Sequence, residues 1–315
     1  MNDSQDIKNC SFNQTDKIVS DLQMVIYIPT IIFGSIFNIL ALVIFHCFLK
    51  KWTETTIYMT NLAFADILLL FSLPFKLHFT AKSTSWSKYT CSFLQSLYYI
   101  SMYMSIYIIM CISLDRYIAI KYPFKAKAVR SPRQSLLVCF GFWVFVWLCS
   151  IPVYKFHDSS SGDYKCFHNI SEDSWSTAFI ISVEIFGFLI PLTVVTFCSI
   201  QIIRTLSERC TSERKKAITD SCIRIIYANL IVFVISFAPS HLGIFLQFLV
   251  RQKIIQNCTV KQSISFFIQV AMCLSNVNCC LDAICYYFAA KEFQQITFKA
   301  KDFRLTVSVA PSSVD

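Results

Sequence analysis

The sequence predicts an all-α membrane protein, a bundle of seven transmembrane helices with a short amphipathic helix after the seventh span. Three observations carry that expectation. The 315 residues are 55% hydrophobic, 16% aromatic and 15% charged, which is too apolar for a soluble domain of this length. Apolar runs with few or no charges recur seven times. At ~1.5 Å of rise per residue, each is long enough to cross ~30 Å of hydrocarbon. Lysine and arginine concentrate in alternate connecting segments, as repeated crossings require.

The runs come in order. Met24–Phe48 follows an acidic, polar stretch without a basic n-region, short apolar core and cleavage site, so it is expected to direct insertion itself. Ile57–Phe79 carries Asp66, Pro74 and Lys76. Cys91–Ile120 carries Tyr98, Tyr99, Met102 and Tyr103, then ends in SLDRYIAIKYP. Ser135–Tyr154 is uncharged and contains Pro152. Thr177–Ile203 holds Glu184 and Pro191, Ala217–Val250 holds Pro239 and His241, and Gln262–Ala289 holds Asn278 and Asp282. Prolines inside spans bend helices, because neighbouring helices can satisfy the backbone groups they free. Residues 1–23 are thus expected to form a glycosylated outer N-terminus, 24–289 the seven-span domain, and 290–315 an inner helix and tail.

Orientation follows from the cations. With the N-terminus outside, the inner segments hold sixteen lysines and arginines and the outer ones nine. The Asn-x-Ser/Thr acceptors start at Asn2, Asn9, Asn13, Asn169 and Asn257, all on the outer side. The formal charge of +9 needs no nucleic acid, because most of it lies where anionic membrane lipid and acidic partner surfaces are found. Four of the fifteen cysteines, Cys10, Cys91, Cys166 and Cys258, meet the oxidising exterior. Three pairings of them are possible from sequence alone.

Ionisable side chains within spans are costly and mark function by default. They are Asp66, Lys76, Asp115, Arg116, Glu184, Arg224, His241 and Asp282. They do not assemble into a catalytic set, and the five histidines are scattered in depth, so no enzyme and no structural metal are expected. Five isolated glycines exclude a phosphate-binding loop or dinucleotide fingerprint. An ion-coupled transporter would predict repeats or a continuous polar stripe, and neither is visible.

The set GSIFNILAL with Asn38, NLAFAD with Asp66, Cys91, DRY at Asp115–Tyr117, Trp143, Pro191, SFAP ending at Pro239, and DAICY from Asp282 to Tyr286 resembles the rhodopsin-like G-protein-coupled receptors. It covers nearly the whole chain. Runs such as SLPFK, SMYMSI and SNVNCCLDAICYYF are most similar to the branch answering lysophosphatidylinositol, lysophosphatidic acid and nucleotides. The resemblance implies bridges Cys91–Cys166 and Cys10–Cys258. It also implies a sodium-linked switch at Asp66 with Asn38, Asn278, Asp282, Tyr286 and Phe237, and no other cofactor. Coupling to a heterotrimeric G protein would use Asp115, Arg116, Tyr117 and Arg224, with Arg116 released from Asp115 on activation. Arrestin would follow tail phosphorylation. Three departures stand out: Ala283 replaces a proline, Phe237 a tryptophan and Ser199 a tyrosine.

Lys76 frames the ligand expectation. It lies ten residues after Asp66, about 15 Å along a helix, in the outer half of the bundle. Two orientations are open: snorkelling to the interface, or turning inward at the Pro74 bend. Inward, it would face an aromatic wall of Tyr98, Tyr99 and Met102, below a basic rim of Arg251 and Lys253 and above Phe237, His241, Phe245 and Phe248. An acid over an apolar cleft describes an anionic lysolipid. Phe167 of the second outer loop would join this pocket. Glu184 could pair with His241, accept a headgroup hydroxyl, or sit as a protonated, hydrogen-bonded carboxyl in the helix interface.

Overall fold

The computed structural model describes residues 11–48, 52–81, 88–152, 175–208 and 213–282. Seven helices in it are long and apolar enough to span a membrane: Gln14–Cys47, Glu54–His78, Tyr89–Lys121, Pro132–Ser150, Thr177–Glu208, Thr219–Arg251 and Cys258–Asp282. They fall on the seven predicted runs. The expected end of span seven and the helix after it lie outside the described residues, as do Cys10, Cys166, Asn2, Asn9, Asn169, Phe167 and Tyr286.

Spans two and three form the inner layer. Leu73, Ile100, Met104, Ile106 and Ile108 have no exposed surface. Spans one and four are peripheral, with Val25 71% exposed and Leu137 68% exposed. Such apolar faces suit lipid, which is as apolar as leucine, so the helices associate through close packing rather than hydrophobic burial. Small residues set the approach distances. A Cβ on Gly34 would lie 2.8 Å from Leu70 Cδ2, one on Gly187 2.7 Å from Tyr103 Cε1, and one on Gly243 3.0 Å from Ile268 Cγ1 and 3.2 Å from its Cα.

The helices are not uniform. Pro29, Pro74 and Pro239 lie inside spans one, two and six. Span five begins as Thr177–Glu184, passes through a π-helical turn at Ile185–Leu189, and continues as Ile190–Glu208. The turn comes just before Pro191, whose missing N–H interrupts the hydrogen-bond ladder. Tyr107 of span three donates to the Phe186 carbonyl at 2.9 Å, supplying a partner at the irregular stretch. Gly187 leaves room there for Tyr103.

Local chemistry explains several boundaries. Ser131 accepts the Gln134 N–H at 3.3 Å and caps span four, with Pro132 in its first turn. Asn257, one of the expected glycan acceptors, accepts the Val260 N–H at 3.2 Å and caps span seven. At the other end of span six, Lys253 adopts φ 60, the left-handed conformation glycine usually supplies. Its N–H reaches Val250 O at 3.1 Å, and Ile254 N–H reaches Leu249 O at 3.1 Å. Cys91 and Cys258 are both disulfide-bonded. Their expected partners fall outside the described residues.

A charged clamp ties down the connector between spans three and four. After the short helix Pro123–Val129, Arg130 turns back onto Asp115, donating from Nε at 2.6 Å and from Nη2 at 2.7 Å. Thr55 adds a hydrogen bond to Asp115 at 3.2 Å, and Glu54 lies 3.5 Å from Arg130. Burial works against the Arg130 cation, yet hydrogen bonding and charge from Asp115, with Glu54, prevail and raise its pKa above the ordinary arginine value. The two-pronged geometry suits a guanidinium on a carboxylate.

Two outcomes follow from this packing. Gly243→Leu is expected to push spans six and seven apart and cost about 1–3 kcal/mol, read as a lower unfolding temperature of the detergent-solubilised protein. Arg130→Ala is expected to cost roughly 1–3 kcal/mol by leaving the Asp115 carboxylate with Thr55 alone; an unchanged unfolding temperature would show that the clamp contributes nothing.

Candidate functional site

Lys76 points inward. It is 7% exposed, and its Nζ stands 4.1 Å from the centroid of the Tyr98 ring and 5.6 Å from that of Tyr27. It lies in the half of span two nearer the bundle face where span one begins, so the snorkelled orientation is not the one adopted. Tyr27 is in turn held from span seven, where Asn276 Nδ2 donates to its hydroxyl at 2.9 Å. Spans one, two, three and seven therefore meet at one ammonium. An aromatic face attracts a cation through its quadrupole but carries no net charge. An anion reaching this ammonium would meet it in dry surroundings, where attraction between charges is strong.

The neighbours divide. Tyr98, Met102, Phe237, His241 and Phe248 are buried, and Tyr99 is partly buried. Phe245 is 43% exposed, and its ring lies tilted by 34° to that of Phe248, with centroids 6.3 Å apart. Arg251 stacks over Trp175 at 5.9 Å and is exposed, as is Lys253. The backbone of Lys253 serves as a helix cap, a second reason for a residue at that rim. Sequence reading missed Gln95, which is 1% exposed with its Oε1 buried and unpartnered. Its position three residues before Tyr98 and four before Tyr99 was the available signal, because those spacings share a helix face.

A second polar unit spans helices five and six. His241 Nδ1 lies 3.2 Å from Glu184 Oε2. The imidazole is fixed by Phe188, stacked at 4.5 Å and 10°, and by Tyr103, edgewise at 5.9 Å. Glu184 is the last residue before the π-helical turn, so the altered register of span five begins where this carboxylate is presented. Of the readings open for Glu184, the structure shows the contact with His241.

Deeper lies a third polar cluster. Asn38 donates to Gly34 O and Cys279 O, both at 3.0 Å, joining spans one and seven. Asn278 donates to Asp282 at 2.7 Å and accepts from Ser236 at 3.1 Å. Ser105 reaches Asp66 Oδ1 at 3.5 Å, while Asp66 Oδ2 is buried without a hydrogen-bond partner. A small cavity of about 10 Å³ is lined by Asn38, Asp66 and Asp282 together with Ala41, Phe45, Met59, Leu62 and Ala63. An unpartnered carboxylate oxygen, a second carboxylate and an amide oxygen donor at a water-sized space fit a small hard cation.

At the opposite face the expected pairing of neighbours Asp115 and Arg116 gives way. The hydrogen-bond and ion-pair partners of Asp115 are Arg130 and Thr55, because consecutive helix residues point in different directions while Arg130 can approach the carboxylate with both prongs. Arg116, 7% exposed, instead lines a cavity of about 20 Å³ between spans three, five and six. Ser199, a departure from the resembled pattern, lines the same cavity with Asn229. The substitution thus coincides with a void beside the arginine. Tyr117 packs edgewise on Phe197 at 5.7 Å, and Arg224 is exposed, bonding Ser221 at 3.2 Å.

A family model described as "7 transmembrane receptor (rhodopsin family)" matches residues 37–286. The chain is 45% identical over 303 residues to G-protein coupled receptor 55 of Mus musculus, covering 91% of each chain. It is 45% identical over 290 residues to the Homo sapiens protein of that name, covering 91% of this chain and 90% of that one. Lysophosphatidic acid receptor 6 of Homo sapiens is 35% identical over 294 residues, covering 91% of this chain and 85% of its own. This kinship sets aside the ion-coupled transporter. The chain belongs to the rhodopsin family of seven-transmembrane receptors, multi-pass proteins of the plasma membrane that are receptors and not enzymes.

Proposed function

We propose that this receptor, with its N-terminus outside the cell, answers an anionic lysolipid, lysophosphatidylinositol first, and that Lys76 is the anchor for the acid. The observation that carries the reading is the ammonium turned into the bundle over Tyr98 and Tyr27 instead of out to the interface. A buried ammonium turned into the bundle is complementary to a phosphate, and the exposed Arg251 and Lys253 would draw such a group toward the mouth. Tyr99, Met102, Phe248 and Phe245 then offer apolar surface to an acyl chain, and Phe167 would join them. A relative whose name specifies lysophosphatidic acid gives the second reading, another lysophospholipid with the same acid.

The transmitting parts are proposed in the same terms. Asp66, Asn38 and Asp282 would hold a sodium ion, whose charge would offset the two carboxylates. Asn278 fixes Asp282, and Ser236 ties that pair to span six beside Phe237. Tyr286 would complete the switch. At the inner face Arg116, with Asp115 already held by Arg130, would meet the G protein together with Tyr117 and Arg224. Rho-activating and phospholipase-C-activating G proteins are the proposed partners, with calcium release downstream. Arrestin would bind a phosphorylated tail.

Lys76→Ala is expected to raise the concentration of lysophosphatidylinositol needed for guanine-nucleotide exchange by a hundredfold or so, on the scale of a lost desolvated charge pair, with surface expression retained; unchanged potency would refute the anchor. Exchange of potassium for sodium at constant ionic strength is expected to alter agonist affinity in the unaltered receptor and to have no effect in Asp66→Asn. A variant as sodium-sensitive as the parent would remove the ion from Asp66.

A further inference from the structure

We propose that Glu184 and His241 form a hydroxyl-accepting subsite that reads the polyol part of the lysolipid headgroup, separately from the acid held at Lys76. The inference rests on the reading of Lys76 as acid anchor and deepens it by assigning headgroup selectivity to spans five and six. Its starting point is a pair of atoms. Glu184 Oε1 and His241 Nε2 are both buried and without a hydrogen-bond partner, although their sister atoms Oε2 and Nδ1 face each other at 3.2 Å.

The chemistry of the pair fixes what these two atoms want. An ionised carboxylate only accepts, so the Glu184–His241 contact takes its proton from Nδ1. The Nε2 atom accepts in a neutral ring and donates in a protonated one. The orphaned carboxylate oxygen needs a donor and Nε2 takes either role, so a hydroxyl, which both donates and accepts, satisfies each. The ring cannot swing away to find other partners, because Phe188 lies parallel to it at 4.5 Å and Tyr103 closes its edge at 5.9 Å.

Charge decides which end of an amphiphile's head goes where. A phosphate is repelled by a carboxylate and attracted by an ammonium, so the acid belongs with Lys76. Neutral hydroxyls carry donors and no charge, and they suit the Glu184–His241 end. Adjacent hydroxyls of a ring polyol can meet both orphaned atoms at once. The backbone supports a dedicated site, since the π-helical turn of span five starts at the residue after Glu184, and Gly187 within it admits Tyr103, the ring that braces His241. Local π-helical insertions of this kind are frequent at functional sites.

The test is competition binding of labelled lysophosphatidylinositol by two unlabelled competitors with one acyl chain, lysophosphatidylinositol and lysophosphatidic acid, which share the phosphate but differ in the polyol. The unaltered receptor should prefer the inositol lipid. Glu184→Gln, which keeps the shape, and His241→Gln should each weaken lysophosphatidylinositol about tenfold or more, the scale of a lost charge-assisted hydrogen bond, while lysophosphatidic acid moves less than twofold. Equal losses for both lipids, no change for either, or an unaltered receptor without preference would each overturn the subsite. Lys76→Ala separates the two ideas: it should weaken both lipids alike. If it changes neither, the anchor reading fails, while a headgroup-selective effect of Glu184→Gln would still support the subsite.

Discussion

A polar group in the middle of this bundle has no water to turn to, so it must be met by a neighbouring helix, and those meetings set how the spans sit. Lys76 draws a tyrosine from span one and another from span three. Asn276 holds the first of these from span seven. Asn38 bridges span one to the Cys279 carbonyl of span seven, Ser236 bridges span six to Asn278, and Trp143 of span four reaches Asn61 of span two at 3.0 Å. Apolar packing fills the space between these contacts, but lipid offers the same dispersion to a leucine, so packing alone selects among arrangements weakly.

The polar contacts occupy three depths, each suited to a different task. Nearest the face where the chain begins lie Lys76 and the Glu184–His241 pair, an ammonium and a carboxylate on different helices within one aromatic interior. Midway, two carboxylates and Asn38 border a water-sized space, and Asn278 holds one of the carboxylates. At the opposite face, Asp115 and Arg130 hold a connector while Arg116 stands beside a void. A signal passing between the faces must cross the middle cluster, and that cluster is linked to span six through Ser236, three residues before Pro239. A bend at that proline would alter the contact directly.

Departures from the family pattern are local and physically legible. Ser199 in place of a tyrosine leaves a cavity beside Arg116, so whatever steadies the arginine here cannot be that phenol. Phe237 is 1% exposed and packs on Phe233 at 5.2 Å, filling its place as an apolar ring with no N–H to satisfy. At both positions a side chain differs in size or donor capacity, and the surroundings record the difference.

The seven spans and the family were legible in the sequence because hydropathy and charge bias are sums over neighbouring residues, and because motifs such as NLAFAD and DRY keep their chemistry in short windows. The presence of Lys76 within a span was equally plain. Its direction was not, since a helical position leaves the rotamer and the Pro74 bend undecided; two rings from other spans settled it. The partner of Asp115 was misjudged because Arg130 lies fifteen residues away, beyond a short helix that only the folded chain turns back. Gln95 escaped notice because a lone glutamine among apolar residues declares nothing until its oxygen is found buried and unpartnered. The sequence by itself determined which helices exist and what charges they carry. Only the tertiary structure decided which charge meets which partner, because such contacts depend on helix rotation and bend, and these are fixed jointly by all seven helices.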